Sequence, residues 1–170
     1  KLRIVAAELI HGNRNYENMQ HATCEVGVLT GRRIGLSDRV VLALDQAFEQ
    51  WNGKGRRKLA GDDIGLAIRI AQVAALAGLF HQLGGPEAAT YAVQQRTGRT
   101  LDPNLAAMFR RKGAALLAEL DDTDLRAAVI DAEPEPRRFV AGAGVDEIAA
   151  AFGDLVDLKS PFLHGHAAAV

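Results

Sequence analysis

The run from Asp62 to Gln82 (DDIGLAIRIAQVAALAGLFHQ) constrains the fold more than any other stretch. Its apolar residues recur at helical spacing but leave almost no polar face. A helix of that kind has to be surrounded by other elements, so the chain needs several amphipathic partners around one central helix. Asp62 and Asp63 suit the positive end of this helix. Gly84-Gly85-Pro86 ends it, and Pro86 is placed as the first residue of a further helix through about residue 97.

The partners are legible on both sides. Residues 2–10 (LRIVAAELI) read as a short amphipathic helix, stopped by Gly12 and the polar 13–18 cluster. A second helix spans about Ala22 to Ile34. Ser37-Asp38 opens a third over 38–50, with Val40, Val41, Leu44 and Phe48 on one face. Gly98-Arg99-Thr100-Leu101-Asp102-Pro103 is a connection that caps a helix over 103–120. Asp121-Asp122-Thr123-Asp124 caps a short one to about 131. Residues 132–143 (AEPEPRRFVAGA) read as a linker. A helix from about Val145 to Lys159 follows, and Ser160-Pro161 restarts the chain into a last one.

Alanine and leucine dominate while aromatic residues make up 5% of the chain, which favours an all-α protein. A net charge of −1 excludes a global basic field for nucleic acid. The one cysteine, Cys24, excludes an intrachain disulfide framework and fits a cytoplasmic chain. No apolar run approaches the roughly 20 residues of a membrane span, so no membrane partner is expected. The chain opens at Lys1 and closes at Ala167-Ala168-Ala169-Val170 inside helical patterns rather than in polar tails. The expectation is a piece of a longer protein, truncated at both ends.

Five stretches in order resemble the HD-GYP family of helical metal-dependent phosphohydrolases, known for hydrolysing cyclic dinucleotides. Thr23-Cys24-Glu25-Val26-Gly27 resembles the family's H-P-E-I-G. Ala47-Phe48-Glu49-Gln50-Trp51-Asn52-Gly53-Lys54-Gly55 resembles H-H-E-R-W-D-G-x-G. Gly61-Asp62-Asp63-Ile64-Gly65-Leu66-Ala67-Ile68-Arg69-Ile70 resembles G-E-E-I-P-L-x-A-R-I. Val73-Ala74-Ala75 resembles V-A-D, and Gly98 to Pro103 resembles G-T-Q-F-D-P. The resemblance implies an HD-domain-like helical bundle and divalent metal chemistry.

The departures fall on that chemistry. The family's metal-binding histidines and aspartate are replaced here by Thr23, Ala47, Phe48 and Ala75. Alanine and phenylalanine cannot ligate a divalent ion that has to be held while it activates water. Arg56 and Arg57 stand where the family carries its G-Y-P signature, and the family's His-Asp dyad would precede Lys1. The resemblance therefore implies a catalytically degenerate copy over 1–131, with no metal or other cofactor of its own. At the other end, the stretch from Asp154 to His166 resembles D-x-K-S-P-Y-x-x-G-H-S, the opening of a second such domain over 144–170. His166 falls on that motif's first metal position, so a complete parent would hold Fe, Mn or Mg there. The layout is similar to actinobacterial HD-domain proteins that end in a LuxR-type helix-turn-helix.

Other candidates weigh less. Lys54, Arg56, Arg57 and Lys58 offer a phosphate-binding cluster beside a helix N-terminus, although the spacing is not that of a P-loop and a solvated basic loop is the simpler reading. His21, Cys24 and Glu25 include two residues on one helical face but lack a fourth ligand for closed structural zinc. His164 pairs with His166 across a glycine. Ser37 and Ser160 read as caps or turns, so no serine–histidine–acid set is present. Two functions follow as expectations. One is a degenerate phosphohydrolase domain serving as a regulatory or dimerisation module of a larger signalling protein or transcription regulator. The other is a piece of an active phosphodiesterase whose site lies downstream. The expected partners are a second copy or neighbouring domains, a nucleotide, and DNA only through a module outside this chain.

Overall fold

The computed structural model describes residues 2–157 apart from 122 and 138, with side chains from Glu17 onward. His164, His166 and the helix expected after Pro161 lie outside the described residues. The described chain is all-α and HD-domain-like. Its six helices are α1 (Leu2–Arg33), α2 (Asp38–Asp45), α3 (Leu66–Arg96), α4 (Pro103–Asp121), α5 (Leu125–Asp131) and α6 (Ala143–Asp157). A 3-10 turn at Gly61–Asp63 precedes α3. Among the described residues the only β-pairing is two isolated bridges, Asn52 with Ala60 and Thr97 with Leu101.

The helices form two compact units. One gathers the chain up to Phe48 and from Val140 onward; the other is Glu49–Phe139. In the first, α1 packs on α2 and on α6. Cys24, Val41 and Ala151 are buried, and Arg33 Nη1 bonds Asp154 Oδ2 at 2.7 Å. Gly31 lets α2 come close: a Cβ there would stand 3.1 Å from Leu44 Cδ1. In the second unit α3 packs on α4, and Val73, Ala77, Ala89, Val93, Leu101, Ala106 and Leu117 make the core.

Several elements differ from the sequence expectation. The helices expected at 2–10 and 22–34 are one 32-residue helix, α1. Gly12 and the asparagines cost only about 0.5–1 kcal/mol each in helix propensity, too little by themselves to stop a helix. The third helix ends at Asp45 rather than near residue 50. Beyond it, the backbone N–H groups of Trp51 and Asn52 donate to the carbonyls of Thr100 and Arg99, which a continuing helix would forbid. Asp62 and Asp63 sit in the 3-10 turn, and the α-helix starts only at Leu66.

The break at Gly84-Gly85 is present as expected. Gly85 takes φ 76°, the left-handed region open to glycine, and Pro86 re-enters helix. A central, fully surrounded α3 is not what forms. Ile70, Leu79 and Leu83 are largely exposed, so the helix is apolar on faces that nothing described covers. By length and composition alone α3 is apolar and long enough to cross a membrane, which corrects the reading that no stretch approaches that length. The two glycines interrupt its backbone without adding polarity, so the apolar composition runs on past the break.

Candidate functional site

The loop between α2 and α3 is built around two buried carboxylates. Glu49 is 2% exposed and uses both oxygens: Oε1 accepts from the Arg57 N–H at 2.6 Å and Oε2 from the Leu59 N–H at 3.0 Å. The Gln72 amide of α3 donates to the Glu49 carbonyl at 2.7 Å. Gly55 lies flat on this residue; an added Cβ would come 2.5 Å from Glu49 Cα, so only glycine fits. The loop thus folds back over its own carboxylate, and Lys58 turns through φ 59° to let it do so.

Asp102 is the second carboxylate, at 3% exposure. Its Oδ1 caps α4 by accepting from the N–H groups of Asn104 (2.7 Å) and Leu105 (3.3 Å), the role the sequence assigned to this connection. Its Oδ2 accepts from Arg69 Nη1 at 2.8 Å. The same nitrogen lies 2.7 Å from Asp62 Oδ1, and the guanidinium stands 5.6 Å from the centre of the Trp51 ring. Arg69 therefore ties the start of α3, the 3-10 turn, the tryptophan and the cap of α4 into one clamp. Trp51 and Asn52 complete it through their backbone bonds to the 99–100 segment.

Arg69, the centre of the clamp, is not among the residues singled out from the sequence. The signal for it was there: Arg69 is the one charge inside an otherwise apolar helix turn, and such a charge needs a partner.

The residues singled out for chemistry are arranged differently. Thr23 is exposed on α1, and its hydroxyl donates to the Met19 carbonyl at 2.8 Å, a local helix bond. Ala47 and Phe48 are half-buried just beyond α2, and Ala75 is exposed on α3. None of the last three offers a donor atom, so the side chains at these positions do not fit a divalent ion. Among the described residues no group of three His, Cys, Asp or Glu side chains is placed to hold one. His21 and Glu25 are exposed while Cys24 is buried.

In the basic cluster, Lys54, Arg57 and Lys58 are exposed and Arg56 is half-buried. The loop's backbone donors at residues 57 and 59, which could have cradled a phosphate, are committed to Glu49.

No family model matches the chain. It is 29% identical over 162 residues to 3'3'-cGAMP-specific phosphodiesterase 3 of Vibrio cholerae serotype O1, a match that covers 93% of this chain and 35% of that protein. The crystal structure of the cyclic GMP-AMP specific phosphodiesterase V-cGAP3 of V. cholerae superposes with a TM-score of 0.80 at 28% identity, over 95% of this chain and 40% of that one. The chain thus spans well under half the length of the relatives it matches. Taken with the five ordered motifs, these similarities to a cyclic dinucleotide phosphodiesterase support an HD-GYP or HD-type family for this chain.

Proposed function

We propose that this chain is a non-catalytic segment of a metal-dependent cyclic dinucleotide phosphodiesterase, whose chemistry is carried by a following HD-GYP-type domain that opens at Asp154–His166. The observation that carries this reading is the fold match over 95% of the chain to a cyclic GMP-AMP phosphodiesterase of which it covers 40%. The side chains present support the division of labour. Thr23, Ala47, Phe48 and Ala75 leave this segment without a ligand set, while the loop clamp keeps its scaffold bonded. In the following domain a divalent ion (Fe, Mn or Mg) would supply an activated water. His166 would be one of its ligands. The basic loop, through Lys54, Arg56, Arg57 and Lys58, would add positive charge toward a nucleotide phosphate. The protein would work in the cytoplasm.

The test is hydrolysis of 3'3'-cGAMP by the natural full-length protein beside these 170 residues. The full-length protein is expected to bind a transition metal and cleave the dinucleotide, and His166→Ala to lower the rate by more than about a hundredfold. The 170 residues alone are expected to do neither. A full-length protein that holds no metal and cleaves nothing would overturn this reading. It would leave the second one, a regulatory or dimerisation module of a transcription regulator with a LuxR-type helix-turn-helix. The observation favouring that alternative is the same loss of donor atoms at Ala47, Phe48 and Ala75.

A further inference from the structure

We infer that the exposed face of α4, with the α3 groove beside it, is a two-fold interface on which a second copy of this chain docks antiparallel, α4 against α4. The groove has a volume of about 510 Å³ and is lined almost wholly by apolar side chains of α3 and α4. Ile70, Met108, Leu116 and Leu120 remain 49%, 47%, 51% and 44% exposed along it. A surface of this kind belongs under another element. The charges on it say which one.

Lys112 and Glu119 line the same groove, seven residues apart and hence two turns along one helix face. Both are exposed, and neither side chain takes part in an ion pair among the described residues. The midpoint between them falls between Ala115 and Leu116. Rotating the helix by 180° about that point puts Glu119 of the second copy opposite Lys112, and Lys112 of the second copy opposite Glu119. The same rotation sets Leu116 against Ala115 of the second copy, with the two Leu116 side chains flanking the axis, and Met108 beside Thr123. The face is therefore complementary to itself, as an isologous interface requires. The apolar side chains would provide the affinity and the two ion pairs the register. This inference does not rest on the phosphodiesterase reading.

Sedimentation equilibrium of the 170-residue protein across a wide concentration range tests it. The wild type is expected to reach twice the 18.2 kDa chain mass. Lys112→Glu alone, or Glu119→Lys alone, places like charges opposite each other twice and should weaken the dimer by about tenfold or more. The double variant Lys112→Glu with Glu119→Lys restores both pairs and should return the dimer to near wild-type strength. Leu116→Asp should leave a monomer with an unchanged circular dichroism spectrum. A wild type that stays monomeric at all concentrations overturns the inference, as does a monomer whose groove takes up an apolar dye. A dimer indifferent to Leu116→Asp, or single variants that the double does not rescue, overturns it equally.

Discussion

Two sets of motif residues are laid out along this chain, and they have fared in opposite ways. In the loop clamp, Glu49, Gly55, Arg69 and Asp102 are buried or half-buried, and every oxygen of the two buried carboxylates has a partner. At Thr23, Ala47, Phe48 and Ala75 the side chains reach no partner beyond their own element or carry no polar atom to offer. On the proposed reading, the difference separates a scaffold set from a set of vacated ligand positions. A buried carboxylate that organises a turn cannot be exchanged without leaving donors unpaired. A metal ligand can be replaced by alanine at almost no cost to the fold.

Stability measurements can break this contrast. Arg69→Ala should have the largest effect. It leaves Asp102 buried with its Oδ2 unpaired and removes the cation from Trp51, so urea unfolding should show a loss of about 3 kcal/mol or more. Gly55→Ala comes next. The new Cβ would meet backbone at 2.5 Å, the loop would have to lift off Glu49, and about 2 kcal/mol should be lost. Thr23→Ala and Ala75→Ser, both at exposed positions, should fall within about 0.5 kcal/mol of the parent in the same assay. If Thr23→Ala costs as much as Gly55→Ala, the division into scaffold and vacated ligand positions is wrong.

Helix type and order were legible in the sequence because the apolar spacing, the Gly84-Gly85-Pro86 break and the caps at Asp102 and Asp124 are local signals. Asp124 does cap α5, accepting from the Arg126 and Ala127 N–H groups. What was not legible depended on distant partners. The early end of α2 follows from bonds that Trp51 and Asn52 make to residues almost fifty positions away. The fusion of the first two helices into α1 shows that Gly12 is a weak stop. The missing donors at Ala47, Phe48 and Ala75 could be read directly, since no arrangement in space gives alanine a ligand atom. That Arg69 needs a partner could be read as well; which partners it finds could not, because Asp62 and Asp102 have to be brought to one point.

The central proposal is that this region keeps an HD-type helical frame without a metal site of its own. Elemental analysis tests it most directly, after the 170-residue protein has been incubated with Mn²⁺ or Fe²⁺ and freed of excess ion. Fewer than about 0.1 ions per chain should remain, because structural and catalytic sites need at least three protein ligands and the described side chains supply no such set. One ion per chain that survives removal of excess metal would contradict the account, and would mean that residues other than Thr23, Ala47, Phe48 and Ala75 form a working site.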